Sequence, residues 1–410
     1  KAVLVLKPGA QLTAAEVQTL IAQAATQAQA LGFPVTIAVV DHEGTVLGVL
    51  QMAGATTSTT IAGGGTGGLE GLNQGSSGGL VSAANAAISK AGTAAFFSTQ
   101  GNAFSTRSAS FIVQAHFPPN VNPSPGGPLF GVQFSQLRCS DVNRTSHPAS
   151  THNLPLGLSA DPGGLPIYKN GTAVGGIGVE GDGLYTFDPD SSDDDRSSEE
   201  VIAAAGTLGF SAPGGIRGNQ ILVDGMRIPF ANAEPPGSQT TTAYATFAAA
   251  GVEVTVPQAS PATGFSVATM GGVLGMMDAN FPIIAGTDGG LTIPDVTQLL
   301  GQAARQAEGT RAAIRVPLGS RARVSITVVD TNGVILGIFR TTDAPVFGFD
   351  VSAQKARTAN FFTHASAAGD LTAAGFTAYV AAMANDGLAL NGSVALTDRA
   401  GLLPGIAAQF

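Results

Sequence analysis

The chain has 410 residues, 44% of them hydrophobic and only 11% charged, with a formal charge of −9. There is apolar material for more than one core, while an acidic balance with no basic run excludes a surface that tracks nucleic-acid phosphates. The longest apolar stretches, around 267–277 and 281–286, fall short of the roughly 20 residues a membrane helix needs, and one cysteine, Cys139, rules out an internal disulfide.

In chain order, residues 12–31 read as an amphipathic helix with Thr13 as N-cap and Glu16 at capping-box spacing, stopped by Gly32 and Pro34. The β-branched run Val35–Val40, the turn Asp41-His42-Glu43-Gly44 and the strand Thr45–Leu50 predict an antiparallel hairpin. Residues 53–80 are rich in Gly, Thr and Ser without the Lys-Ser/Thr of a phosphate loop, and read as a flexible or assembly-contacting segment. A helix over 84–97 follows, then an irregular Pro/Gly segment over 117–128. Asn170-Gly171 marks a hairpin between Leu165–Lys169 and Ala173–Val179, in which the glycines of the second strand suit close backbone approach. An acidic run leads into a short helix at Glu199–Gly206. Residues 207–290 carry strand signals at Gln220–Val223, Met226–Phe230 and Val252–Val256, and are expected to form a small subdomain or extra strands clasping their neighbours.

The pattern then repeats. Leu291-Thr292 opens a helix with Val296, Leu299, Leu300, Ala303 and Ala304, matching Val17, Leu20, Ile21, Ala24 and Ala25 of the first. Val324–Asp330 followed by Gly333 and Gly337 repeats Val35–Asp41 with Gly44 and Gly48, and Lys355–Phe362 repeats Lys90–Phe97. The expectation is a tandem of two domains, 1–210 and 291–410, separated by an inter-repeat subdomain at 211–290, with no counterpart of the 165–179 hairpin evident in the second copy.

Several of these motifs in order resemble the GlcG/HbpS-like haem-degrading family: Ala38-Val39-Val40-Asp41 with Gly44, Lys90-Ala91-Gly92-Thr93-Ala94, Gly163-Gly164-Leu165-Pro166-Ile167, and Gly175-Gly176-Ile177-Gly178-Val179. The resemblance covers most of residues 10–210 and the first part of the second copy. It implies an α+β class with two profilin-like domains, each an antiparallel sheet with packed helices, commonly oligomeric, in a protein that binds haem or a related tetrapyrrole. Haem degradation is a further step that the residues do not independently support, so enzymatic activity is left open.

Haem asks for an apolar slot, an axial ligand and groups for its propionates. Of the five histidines, His42, after the first core strand, and His364, past the Phe361-Phe362 helix end, are the ligand candidates; His116, His147 and His152 carry no motif. Met52 and Tyr168 are weaker candidates. Lys90 and Lys355, in matching helices, are candidates for holding a propionate, with Arg357 and Arg107 in support. Asp188, Asp190, Ser192, Asp194 and Glu199 have the spacing of a calcium loop, but Asp193 replaces the turn glycine; the same residues also suit the positive end of the helix that follows. No hydrolase motif is present.

The chain opens at Lys1 without a Met, which fits removal of a signal peptide. Together with the low charge it suggests an extracellular or periplasmic location. Two other functions compete: a structural subunit of an extracellular assembly, self-associating or bound to another extracellular protein, and a binder of small carboxylate metabolites.

Overall fold

The computed structural model describes residues 11–61, 79–114, 117–118, 126–132, 135–138, 140–142, 154–188, 194–223, 225–261 and 265–385. His116, Cys139, His147, His152, Asp190 and Ser192, and most of the glycine-rich segment, lie outside them.

Helix α1 (Ala14–Leu31) starts on the expected capping box: the Thr13 side chain accepts from Glu16 N, and the Glu16 carboxylate takes Thr13 N. Gly32 ends it in the left-handed conformation, φ 63°, where a Cβ would be strained. Strands β1 (Thr36–Asp41) and β2 (Val46–Gln51) pair antiparallel, with a register shift at Val39/Val40. Short strands β3 (Ser58–Ile61) and β4 (Leu80–Ser82) flank the glycine-rich stretch, and helices α2 (Ala83–Phe97) and α3 (Thr106–Val113) follow. Strands β5 (Gly164–Lys169) and β6 (Thr172–Glu180) form the expected hairpin, turning at Asn170 and Gly171, both at positive φ. Strand β7 (Leu184–Tyr185) and helix α4 (Ser198–Gly206) complete this part.

Strands β8 (Leu222–Val223) and β9 (Met226–Arg227) make a small hairpin, and helix α5 (Tyr244–Ala250) leads to β10 (Val252–Thr255). The hairpin of β11 (Phe265–Met270) and β12 (Val273–Asp278), helix α6 (Ile293–Gly309), strands β13 (Ser325–Val329) and β14 (Ile335–Thr341), and helices α7 (Gly348–Thr363), α8 (Ala367–Ala373) and α9 (Thr377–Asn385) follow. No helix among the described residues is long and apolar enough to cross a membrane.

The class is α+β with antiparallel sheets. The first large sheet has the order β10-β2-β1-β6-β5 and the second β11-β12-β14-β13, while β4-β3-β7 form a small sheet in which β3 and β7 run parallel. In the first, alternation along β1 sends Ile37 and Val39 to a core with Val17, Leu20 and Ile21 of α1 and Ile202 of α4, and sends Ala38 and Val40 to a core with Ala87, Ala91 and Ala95 of α2. In the second, Ile326 and Val328 of β13 meet Val296 and Leu300 of α6, while Thr327 Oγ1 lies 2.7 Å from Ser352 Oγ of α7. The two turns are built alike. Asp41 Oδ1 accepts from Glu43 N and Thr45 N, and Asp330 Oδ1 from Asn332 N and Val334 N.

Of the two expectations for residues 211–290, the strand pairing there follows the second, extra strands added to neighbouring sheets. Strand β10 extends the first sheet beside β2, and β11–β12 extend the second beside β14. The two parts share an interface in which Val346 and Val351 complete the core under α2. There Phe97 and Phe347 pack edge to face at 4.7 Å, and Val346 N donates to Phe96 O.

Candidate functional site

Helix α2 lies close to β6 because Gly176 and Gly178 place no side chain between them. A Cβ on Gly176 would fall 2.0 Å from Ala91 O, and one on Gly178 2.1 Å from Ala87 O. On β5, a Cβ on Gly164 would sit 2.5 Å from Lys90 O. The sequence expectation of close backbone approach holds, and its consequence is that Lys90, facing the sheet, is sealed in.

Its ammonium has been given three carboxylates. Nζ lies 2.8 Å from Asp161 Oδ2, 2.9 Å from Glu180 Oε2 and 2.7 Å from Glu199 Oε2, and donates to Val179 O at 3.0 Å. Asp161 comes from the loop before β5, Glu180 from the last position of β6 and Glu199 from the first turn of α4, and all four side chains are buried. The ring of Tyr185 closes one side at 5.9 Å. Glu199 Oε1 accepts from Gly181 N and Asp182 N, tying the end of β6 to α4.

One positive charge among three negative ones is not neutral, and the protonation states respond. Burial pushes Asp161 well above the usual carboxylate range, with Glu199 and Glu180 adding to the rise and Lys90 opposing it. Burial likewise raises Glu199 to about 7 against the pull of Lys90. Burial alone would lower the Lys90 amine, but the three carboxylates prevail and hold it above its ordinary value.

Asp161, Glu180 and Glu199 are the one group among the described residues with the spacing of a metal-ligand set, their ligand atoms within 4.8 Å of one another. The Lys90 ammonium contacts an oxygen of each. Lys90 therefore plays the cation's part, and with its own stem buried it has no route out. The expectation that Lys90 holds a propionate is corrected on the same ground: its amine is enclosed by protein oxygens.

The acidic run is organised around a second buried cation. Arg107 Nη1 lies 2.7 Å from Asp188 Oδ2 and 2.8 Å from Asp195 Oδ1, and Nε donates to Glu200 Oε1 at 2.9 Å. The calcium-loop reading is corrected by this arrangement. Its first residue, Asp188, is held by Arg107 and its last, Glu199, by Lys90, so the two ends of the set do not converge. Asp194 is exposed, and Asp190 and Ser192 are outside the described residues.

His42 is partly buried on the turn after β1, where Nε2 lies 3.0 Å from Ser98 O and Nδ1 3.4 Å from Glu43 Oε1. Glu43 is in turn gripped by Arg340 Nη1 at 3.0 and 2.8 Å, across the interface between the two parts. His364 caps the end of α7 in the open, with Nδ1 2.8 Å from Ser366 Oγ. Lys355 is half-buried on α7, and burial lowers its amine. Arg357 is held by a fork onto Asp141, both bonds 2.7 Å, and by Gly333 O. These four candidates and Lys90 do not gather at one place. Met52 lies elsewhere again, in an apolar groove of about 310 Å³ with Ala28, Phe33, Pro34 and Phe247, at the lower end of small-ligand sites.

Residues 12–62 match the family described as haem degrading protein HbpS-like. That segment contains α1, β1, β2 and His42. No curated protein matches the chain. Among solved structures, the Klebsiella pneumoniae protein ORFY is 18% identical, aligned over 51% of this chain and 97% of its own, with a TM-score of 0.29. The PduOC–haem complex is 19% identical over 49% and 96%, TM-score 0.28, and a double mutant of Streptomyces reticuli HbpS is 19% identical over 50% and 90%, TM-score 0.26. The similarity to the HbpS-like family thus rests on residues 12–62.

Proposed function

We propose that the protein binds haem or a related tetrapyrrole through its first part, with His42 as the iron ligand. The observation that carries this reading is the family match over residues 12–62, of which His42 is the one histidine. The ring geometry supports it. A ligating histidine commonly gives its other ring N–H to a backbone carbonyl, which fixes the tautomer, and His42 Nε2 stands 3.0 Å from Ser98 O. Nδ1 is then the ligating atom, and its neighbour Glu43 is already bound to Arg340. A bound haem would supply the iron for redox and oxygen chemistry, and the chain the histidine ligand. Haem degradation, export and self-association remain part of the proposal.

We also infer that α6, β13, β14 and α7 are a second copy of α1, β1, β2 and α2. The shared turn geometry at Asp41 and Asp330 and the shared capping box of α1 and α6 support it.

Titration with hemin tests the haem reading. A saturable Soret shift altered by His42→Ala supports it; unsaturable binding that no histidine substitution changes would sink it. A second reading, an assembly subunit, is favoured by apolar side chains in the open on or beside edge strands: Val252, Val254 and Val256 at 57, 48 and 65% exposure, and Val267 at 63%. Concentration-dependent sedimentation without hemin saturation would decide for it.

A further inference from the structure

The edge of β13 is open among the described residues, whereas the matching edge of β1 is filled by β6. All six residues of β1 are buried, and all five of β13 are only partly so. The helix beside each strand tells the same story. On α2, every residue from Ala87 to Phe97 is buried, with β6 and β5 beneath it and residues 154–160 on its other side; on α7, Ser352, Ala356, Ala359, Asn360, Phe361 and Phe362, at the matching positions, are half-exposed. An unpaired row of backbone N–H and C=O groups beside an incompletely covered helix face is a template for one more strand.

We propose that this edge and the adjoining face of α7 form a docking site for a partner polypeptide that presents a glycine-rich antiparallel strand. The glycine requirement follows from the first part of the molecule. Strand β6 fits beneath α2 only because Gly176 and Gly178 put no Cβ against Ala91 O and Ala87 O. The counterpart of Ala87 is Ser352, and its contact with Thr327 shows that α7 crosses β13 where α2 crosses β1. A strand added to β13 therefore passes under the carbonyls of Ser352 and Ala356, and side chains at two alternate positions would collide with them. Main-chain bonds along Ser325–Val329 would give affinity, and the small-residue rule would give selectivity. The edge carries no Lys or Pro to deter pairing. This inference rests on the two-copy reading above and is independent of haem.

A labelled synthetic peptide with the sequence Gly164–Glu180 serves as the probe, titrated against the full chain by fluorescence anisotropy. The expected result is saturable binding that weakens at least about tenfold with Thr327→Pro, which interrupts the edge. Ala356→Tyr, on the half-exposed helix face where folding tolerates a larger side chain, should weaken it too. A peptide carrying Gly176→Val and Gly178→Val should fail to bind. Absence of saturable binding overturns the docking site and leaves the two-copy reading standing. Equal binding of the valine peptide overturns both, since α7 would then not sit over β13 as α2 sits over β1. Self-association abolished by Thr327→Pro, with no peptide binding, would assign the edge to a second copy of the chain and overturn the proposal as stated.

Discussion

Helices α2 and α7 share the sequence Lys-Ala-x-Thr-Ala and a Phe-Phe pair in the last turn, yet Lys90 is fully buried among three carboxylates and Lys355 is half-exposed. The helices do not cause the difference. Around α2, the β5–β6 hairpin and α4 supply both the lid and the charges, Asp161, Glu180 and Glu199; among the described residues, nothing equivalent lies over α7. A motif therefore fixes where a lysine points, while the elements packed against it decide how completely it is enclosed.

The sharpest way to break this comparison is to remove both amines. Lys90→Met strands three buried carboxylates and should lower stability by about 3–5 kcal/mol, read as a shift of the urea midpoint. Lys355→Met, at a half-buried position, should cost clearly less, about 1 kcal/mol. Equal effects would mean that the buried cluster contributes no more than the half-buried lysine does.

Next in size is the close approach that seals the site. Gly176→Ala places a Cβ 2.0 Å from Ala91 O, and forcing α2 away from β6 should cost about 1–3 kcal/mol. Hydrogen exchange of α2 amides should speed up in that variant while α7 amides are unaffected.

The pH dependence separates the two parts as well. Burial raises Glu199 to about 7 in the folded chain and holds Asp161 well above the usual carboxylate range. A raised carboxyl contributes stability that is fully present below its unfolded value and is lost as pH climbs through the folded one. The urea midpoint should therefore fall between pH 5 and pH 8, with Asp41, raised by burial to about 6, contributing in the lower half of that window. Glu199→Gln should flatten the upper half; an unchanged slope would remove Glu199 from the explanation.

The smallest effects should be the ones the two parts share. Thr13→Ala and Thr292→Ala each remove an N-cap of the same design and should each cost about 1 kcal/mol. A gap between them much larger than that would argue against equivalent helices.

What could be read in advance follows the range of the interactions. The capping boxes, the Asp41 and Asp330 turns and the Asn170-Gly171 hairpin are local, set by residues within a few positions, and they form where the residue pattern places them. The β11–β12 hairpin also had a local signal in Gly271-Gly272, both at positive φ, but the apolar run around it drew attention only as too short for a membrane. The Lys90 site was half legible: a lysine among alanines on a buried helix face signals an enclosed amine, and Asp161 and Glu180 flank the very hairpin recognised. Their convergence depends on packing between segments up to 109 positions apart, which spacing does not encode. The acidic run misled for a related reason, since its regular spacing mimics a calcium loop while Arg107, far away in sequence, organises it.

The central claim, haem held by the first part through His42, is tested most directly by the stoichiometry and ligand dependence of hemin binding. The expected result is saturation at about one equivalent per chain, with a Soret band that His42→Ala changes and His364→Ala leaves alone. Saturation at two equivalents, or a spectrum indifferent to His42, would contradict it.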